Sequence, residues 1–110
     1  MKRNKIISQN KINKIVNKIA KEFRPEKIIL FGSYANGKPD KNSDIDLCII
    51  MKNVSSPYQI AYKIEKLLDD FMVPTDIVVY SQHEIEEWKN VKMAFPTIIM
   101  KTGKIVYEKK

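Results

Sequence analysis

The amino-acid sequence predicts a small α/β (α+β) domain in which helices and strands follow one another in the order α-β-β-α-β-α-α-β. Three observations lead to this class. Apolar residues recur at helical spacing in two long segments. Short apolar runs are bounded by glycine, proline or aspartate, which is typical of strands. The chain has 110 residues, a length that favours one domain covering residues 1–110.

The two long helices are marked at their ends by residues that start or stop helices. In segment 8–23, Ser8 can cap the first turn and Pro25 prevents continuation. The second helix begins at Ser56-Pro57, where proline takes the first helical position, and Pro74 stops it. The apolar faces consist of Ile12, Ile15, Val16, Ile19, Ala20 and Phe23 in the first helix and of Ile60, Ala61, Ile64, Leu67, Leu68 and Phe71 in the second.

Four apolar runs are predicted as strands. The first ends at Gly32, after which a polar segment with two glycines and a proline forms a turn and loop as far as Asn42. The last run follows Gly103. The runs are Ile28 to Phe31, Ile45 to Met51, Asp76 to Tyr80 and Lys104 to Tyr107.

Two further helices are predicted between the third and fourth strands. The first is short and lies near Glu84 to Trp88. The second runs through Val91 to Lys101, but Pro96 falls inside it, so this helix either starts late or is kinked.

The chain carries a net charge of +7, and its positive charge is concentrated at the two ends. Residues 1–27 hold nine basic and two acidic side chains, whereas residues 28–100 hold seven basic and ten acidic ones. The basic segment fits a nucleic-acid partner or a solvated lysine-rich helix, and it would also attract a nucleoside triphosphate or an acidic protein. Few aromatic residues lie among the basic ones, which favours the solvated helix.

The sequence argues against a membrane or secreted protein. No apolar run approaches the roughly 20 residues that span a bilayer, and the N-terminal residues lack the apolar core of a signal peptide. Cys48 is the only cysteine, which excludes an intrachain disulfide and a cysteine-rich zinc site. We therefore expect a cytoplasmic protein.

Carboxylates lie where the second and third strands begin. Side chains two apart on a strand share a face, so Asp44 and Asp46 point the same way. Asp76 opens the third strand in the same manner, and three carboxylates meet at one end of the sheet if that strand lies beside the second. Adjacent carboxylates repel unless a cation lies between them. An oxygen-rich site of this kind suits two Mg²⁺ ions bridged by phosphate oxygens.

A dipeptide before these acids strengthens the prediction of a functional site. An isolated Asp-x-Asp pair is more commonly part of a turn or a cap. Here Gly32-Ser33 stands directly after an apolar strand, and ten residues separate Ser33 from Asp44. A glycine lets the backbone approach closely because it has no Cβ, and backbone N–H groups with a serine hydroxyl can bind phosphate oxygens. The combination predicts a metal-dependent nucleotide site.

This pattern resembles the nucleotidyltransferase superfamily with the polymerase-beta-like fold, and in particular its small members, the minimal nucleotidyltransferases. The segment FGSYANGKPDKNSDIDLCII looks like the family's Gly-Ser, ten intervening residues and Asp-x-Asp, and PTDIVVY is similar to the strand that bears its third acid. The resemblance extends from about Ile12 to Tyr107. It implies a small mixed sheet of about four strands with helices packed on one face.

The resemblance implies an enzyme that transfers a nucleoside monophosphate, AMP from ATP, and releases pyrophosphate. By position, Asp44 and Asp46 would hold two Mg²⁺ ions. Asp76 would complete the metal site and help to deprotonate the acceptor hydroxyl. Gly32 and Ser33 would hold the β- and γ-phosphates.

The phosphate loop departs from the family pattern at one position. Small members often carry an arginine where this chain has Asn36, in GSYANG. Loss of an arginine that grips a phosphate would weaken triphosphate binding, and Lys38 or Lys41 could replace it only without the bidentate fork. Tyr34 in the same loop is expected to be exposed, or else to stack on a base or be modified.

The resemblance also implies a partner. Minimal nucleotidyltransferases are similar to the antitoxins of two-gene pairs whose toxin is an all-helical HEPN-type RNase, and such an antitoxin can transfer AMP to a tyrosine of the toxin. We therefore expect a HEPN-type toxin as the acceptor, with nucleic acid contacted only through it and no membrane partner. Two alternatives stay open. One is an antitoxin that neutralises by binding alone, which Asn36 favours; the other is a nucleic-acid-binding module built on the N-terminal helix.

The remaining reactive or large side chains are assigned structural roles. His83, the only histidine, is expected at the surface, and Cys48 is expected to be a buried thiol. Trp88, Phe95 and Tyr107 are expected in the core, with a partner surface as the alternative.

Overall fold

Helices and strands follow one another in the predicted order within residues 6–110, the part of the chain that this computed structural model describes. The elements are α1 (Gln9–Phe23), β1 (Lys27–Phe31), β2 (Ile45–Met51), α2 (Pro57–Leu67), a 3₁₀ turn (Asp69–Phe71), β3 (Thr75–Ser81), α3 (Gln82–Trp88), α4 (Phe95–Thr102) and β4 (Lys104–Glu108). Residues 1–5 of the basic segment 1–27 lie outside the described residues. Among the described helices, none has the length and apolar character needed to cross a membrane.

Helix α1 begins and ends at the residues that its sequence indicates. Ser8 Oγ accepts a hydrogen bond from the Lys11 backbone N–H at 3.2 Å, which satisfies one of the donors that a helix start leaves unpaired. At the other end Arg24 adopts a left-handed conformation with a φ of 48°, and proline follows it. Ser56, in contrast, makes no side-chain cap bond, so Pro57 alone marks the start of α2.

Helix α4 starts at Phe95 rather than at Val91, because Pro96 lies in its first turn. Proline is tolerated there, since the first N–H groups of a helix have no acceptor within the helix. Residues 89–94 form turns instead. Of the two outcomes that the proline allowed, the late start is therefore the one observed.

The four strands named above form a mixed sheet in the order β3-β2-β1-β4. β1 is antiparallel to both β2 and β4, whereas β2 and β3 run parallel. The expectation that the third strand lies beside the second is thus confirmed. The register places Asp46 opposite Asp76 on one side and opposite Phe31 on the other.

The two faces of the sheet are covered unequally. Ile45, Leu47 and Ile49 are fully buried in the main core, on the face covered by α1 and α2. Burial of each side chain of this size contributes roughly 1.5–3 kcal/mol. The opposite face holds a smaller cluster, whose buried members are Ile29, Cys48, Ile50 and Ile99. The predicted α+β class with a four-stranded mixed sheet is confirmed, but the helices do not all lie on one face. Helices α1 and α2 form the expected layer, whereas the shorter α3 and α4 contact the other face through Ile85, Ile99 and Met100.

Gly103 joins α4 to β4 and lets this connection lie close to β1. A Cβ at Gly103 would lie 2.7 Å from Ile99 O and 3.0 Å from Leu30 O. We expect Gly103→Ala to lower the free energy of unfolding by about 2–3 kcal/mol, because buried neighbours must shift. Urea denaturation followed by circular dichroism measures the loss.

Gly37→Ala is the matched control for this substitution. A Cβ there would meet no atom within 4 Å, although the φ of +81° is left-handed. This variant should therefore lose only the ~1 kcal/mol that such a backbone costs a residue with a Cβ. Equal losses in the two variants would contradict the packing explanation for Gly103.

Candidate active site

The beginnings of β2 and β3 bring two carboxylates together. Because these strands are parallel and in register, Asp46 and Asp76 are direct cross-strand neighbours, on the face that also carries Cys48 and Val78. Like charges at directly opposite positions repel. Asp46 is half-buried and Asp76 is exposed, so the pair lies at an edge of the sheet that ligands can reach.

Asp44 joins this pair through its charge. The pKa of Asp46 is raised to about 6, first by burial of the carboxyl group, then by the charge of Asp76 and by that of Asp44. Asp44 itself is exposed immediately before β2. Both Asp76 and Asp44 therefore lie close enough to Asp46 for their charges to act on its carboxyl group.

These carboxylates interact without forming a preassembled metal cage. Within residues 6–110, no three His, Cys, Asp or Glu side chains converge tightly enough to hold one ion. The donor set nevertheless fits a hard divalent cation, since it consists of carboxylate oxygens, which Mg²⁺ prefers. Beyond the effect of burial, the charges of Asp76 and Asp44 raise the pKa of Asp46, and a cation would neutralise these charges.

Gly32 connects the end of β1 to the Asp46 carboxylate. Its φ of +73° lies in the left-handed region, which glycine adopts without strain. A Cβ at this position would collide with Asp46 Oδ2. Glycine is therefore required twice, by the backbone conformation and by the close approach of the carboxylate. This approach joins the Gly-Ser dipeptide to the Asp-x-Asp pair in three dimensions.

The chain after Gly32 forms a helical turn that begins at Ser33. The Ala35 and Asn36 N–H groups donate to Gly32 O at 3.0 and 3.1 Å. The N–H groups of Ser33 and Tyr34 have no hydrogen-bond acceptor among the described residues, as expected at the start of such a turn. Together with the Ser33 hydroxyl, they are groups that can bind phosphate oxygens.

Two residues of the loop after Gly32 lie in different environments, Tyr34 in the core and Asn36 at the surface. Tyr34 is buried in the main core, and its hydroxyl accepts a hydrogen bond from Ile7 N–H at 3.0 Å. The expectations of an exposed, base-stacking or modified tyrosine are therefore wrong. Asn36 is exposed, and its Oδ1 accepts a hydrogen bond from Lys38 N–H at 3.2 Å. It closes the loop and offers no positive charge to a phosphate.

An aromatic pair beside the carboxylates was not found by sequence reasoning. Phe31 is the cross-strand neighbour of Asp46, and its ring meets that of Phe95 edge to face, with 5.7 Å between centroids. The alternation along β1 contained a signal, because it places Phe31 on the face of Ile29 rather than on that of the main core. The contact with Phe95 had no such signal, since it depends on how α4 packs.

Five other side chains can be compared with their predicted roles. His83 is exposed, as predicted. Cys48 is fully buried, and this burial raises the pKa of its thiol to about 12, so the predicted buried thiol is confirmed. Tyr107 packs against the main core. Trp88 and Phe95 are 44% and 49% exposed, so the prediction that they belong to the core is wrong.

Comparison with known proteins agrees with this geometry. The family model described as polymerase beta, nucleotidyltransferase matches residues 13–110. The chain belongs to this nucleotidyltransferase family. A Methanocaldococcus jannaschii protein, whose name proposes that it is a protein adenylyltransferase, is 33% identical over 98 residues, which cover 87% of this chain and 94% of that protein. The predicted family membership is therefore confirmed.

Solved structures share the fold of this nucleotidyltransferase. A Sulfolobus solfataricus protein proposed to be a nucleotidyltransferase has a TM-score of 0.64 at 19% identity, over 91% of this chain and 79% of that one. A chain of the MntA-HepT toxin-antitoxin complex has a TM-score of 0.54 at 19% identity, over 93% and 74%. A chain of a toxin-antitoxin complex with AMP-PNP has a TM-score of 0.55 at 22% identity, over 94% and 76%. At these identities the likeness concerns the fold alone.

The raised pKa of Asp46 gives the metal-free protein a defined pH dependence. A carboxyl whose pKa rises on folding stabilises the folded state below its unfolded pKa near 3.8 and loses this contribution as the pH rises through about 6. In EDTA at about pH 8, we expect Asp46→Asn to be more stable than the wild-type chain by about 1 kcal/mol. This value is smaller than the full shift implies, because solvent screens the carboxyl. The difference should vanish below about pH 4.

Urea denaturation across this pH range measures the difference. Glu65→Gln removes an exposed carboxylate of α2 and is the matched control, which should give no comparable gain at high pH. If Asp46→Asn were less stable than the wild-type chain at about pH 8, attractive contacts rather than repulsion would dominate around Asp46.

Proposed function

We propose that this chain is a Mg²⁺-dependent nucleotidyltransferase that moves AMP from ATP onto a hydroxyl of a partner protein. In this proposal the acceptor is a tyrosine of a HEPN-type RNase toxin, and its modification silences the toxin, so the chain acts as an antitoxin. The observation that carries the proposal is the cross-strand pair Asp46 and Asp76, placed against Gly32 at the start of the Ser33 turn. Family membership supports nucleotidyl transfer as the chemistry of this arrangement.

The Ser33 turn and the carboxylates have separate roles in binding the triphosphate. In the proposed complex, the β- and γ-phosphates lie on the N–H groups and the hydroxyl at Ser33, and Gly32 lets them approach the backbone. Asp44, Asp46 and Asp76 would hold two Mg²⁺ ions, which supply charge neutralisation at the phosphates and the acceptor oxygen. All these groups lie at one edge of the sheet, where the turn that begins at Ser33 meets the first residues of β2 and β3.

The proposed chemical step is an in-line displacement at the α-phosphorus. The acceptor oxygen forms a bond to this phosphorus while the bond from the phosphorus to the bridging oxygen breaks, and pyrophosphate leaves with that electron pair. Asp76, exposed beside Asp46, takes the proton of the acceptor hydroxyl. Because little covalent chemistry falls to the protein, positioning and electrostatics would account for most of the rate.

A protein acceptor and a toxin partner have support from the related proteins. The Methanocaldococcus jannaschii relative has a name that proposes protein adenylylation. Chains of toxin-antitoxin complexes share the fold, one of them in a complex with AMP-PNP. The carboxylate edge is also open to a second protein, since Asp44 and Asp76 are both exposed.

A second candidate function is an antitoxin that neutralises its partner by binding alone. Asn36 favours it, because the Asn36 amide is bonded to the Lys38 backbone and presents no charge to a triphosphate. The two candidates differ in whether the carboxylates are needed for neutralisation. Variants of the carboxylates therefore distinguish them.

Removal of either carboxylate at the start of β2 should abolish transfer. We expect Asp44→Asn and Asp46→Asn to lower the rate at least ~100-fold, because each loses a cation ligand and with it transition-state stabilisation. The purified chain is incubated with Mg-ATP and the product of the neighbouring gene, and mass spectrometry detects an added adenylyl group. EDTA should prevent the gain in mass, and added Mg²⁺ should restore it.

Asp70→Asn is the matched control, since it removes an exposed carboxylate of the 3₁₀ turn and should keep full activity. A neighbouring protein that gains no mass with the wild-type chain would rule out transfer in this form. Variants of Asp44 and Asp46 that still protect cells from the toxin would favour neutralisation by binding alone.

Asn36→Arg tests whether the missing arginine limits triphosphate binding. A bidentate, charge-assisted contact to phosphate contributes roughly 1.5 kcal/mol, so we expect the KM for ATP to fall about tenfold. Initial rates of adenylyl transfer at varied ATP measure it. Asn42→Arg adds the same charge at another exposed position of the loop and should leave this KM unchanged. Equal effects of the two variants would mean that only net charge matters.

A further inference from the structure

Four large apolar side chains are exposed near and within the segment that joins α3 to α4. Trp88 is 44% exposed, Val91 46%, Met93 82% and Phe95 49%. They lie within eight consecutive residues, and we name them the 88–95 patch. Single exposed apolar side chains are common on protein surfaces, but a group of neighbours indicates an interaction site.

The backbone beneath this patch is fixed by hydrogen bonds. Thr97 Oγ1 donates to Trp88 O at 2.6 Å, and Val91 N–H donates to the same oxygen at 2.9 Å. Ala94 N–H donates to Val91 O at 3.1 Å. The exposed side chains are therefore held on an ordered turn, which lowers the entropy that a binding partner must remove.

The 88–95 patch reaches the carboxylate face of the sheet through Phe95. Phe95 meets Phe31 edge to face, and Phe31 is the cross-strand neighbour of Asp46. A molecule that covers the Phe95 end of the patch consequently lies beside Phe31 and Asp46, where an acceptor hydroxyl must enter. Tyr62 of α2 is also exposed, but α2 belongs to the helical layer on the opposite face.

We propose that the 88–95 patch docks an apolar segment of the acceptor protein next to the hydroxyl that is modified. The inference rests on the proposed function, because it names the surface that holds the acceptor protein while the acceptor hydroxyl reaches the carboxylates. The segment 88–95 contains the exposed Lys89 and Lys92 and no acidic residue, so acidic residues beside the apolar segment of the acceptor complement it. The aliphatic Val91 and Met93 argue against a nucleobase, since bases stack on aromatic faces.

Trp88→Ser and Met93→Ser test this surface, with the product of the neighbouring gene as the acceptor. We expect each variant to raise the KM for that protein about tenfold, while the KM for ATP and the rate at saturating acceptor stay unchanged. Tyr62→Ser, which removes an exposed aromatic residue from the other face, should change neither KM. Met93 is the more exposed of the two patch residues, so its variant keeps the test valid even if Trp88→Ser is poorly folded.

Trp88 supplies a second readout, because it is the only tryptophan of the chain. It can be replaced by 5-hydroxytryptophan, which is excited separately from the tryptophans of the added protein. On binding, its emission should shift to the blue and its quenching by acrylamide should decrease. An unchanged spectrum at saturating acceptor protein overturns the proposal.

The remaining outcomes separate this inference from the proposed function. An unchanged KM for the acceptor in both patch variants overturns the docking surface alone. If the patch variants raise only the KM for ATP, the patch binds the nucleotide. If the wild-type chain is a dimer and Met93→Ser dissociates it, the patch serves self-association. Either result overturns the inference. If the wild-type chain binds the neighbouring protein without modifying it, transfer fails, while weaker binding by the patch variants still supports docking. If it neither binds nor modifies that protein, both fail.

Discussion

The parallel, in-register pairing of β2 with β3 is the constraint on which the site depends. It sets Asp46 opposite Asp76, an arrangement that electrostatic repulsion opposes. The pairing persists because the other face of β2 is anchored: Ile45 and Leu47 are inaccessible to solvent beneath α1 and α2. A slip of one residue would expose these side chains and turn the carboxylates inward. The apolar pattern of the strand therefore fixes the register that brings the acids together.

Gly32 places the end of β1 beside the same carboxylates. This strand ends at Phe31, opposite Asp46, so the next residue lies against the carboxylate. Because both the positive φ and the close approach require glycine, the turn that starts at Ser33 is set beside the acids by backbone geometry. The proposed phosphate-binding and cation-binding groups are thus adjacent without any direct bond between side chains.

Local signals account for the parts of this structure that the sequence predicts. β2 has its predicted bounds, Ile45–Met51, because apolar alternation and an aspartate at the boundary are properties of neighbouring residues. The pairing of Asp46 with Asp76 needed one further assumption, the adjacency of the second and third strands. Tyr34 was misplaced because its burial depends on Ile7, 27 positions away. The exposure of Phe95 likewise depends on packing between α4 and β1, which neighbouring residues do not reveal. The catalytic roles of the carboxylates stay predictions.

The energetics of Asp46 explain why a folded sheet would keep such a pair of acids. Burial and two neighbouring charges raise the pKa of Asp46 to about 6, which means that ionisation costs more free energy in the folded chain than in an ordinary aspartate. A residue kept only for stability would be better replaced by asparagine or threonine, which bring no charge to the pair. A divalent cation reverses this balance, because it neutralises the charges that repel one another. In the proposed function, the feature that weakens the metal-free fold would therefore strengthen cation binding, and it would tie the stability of the β2–β3 edge to the ligands of the reaction.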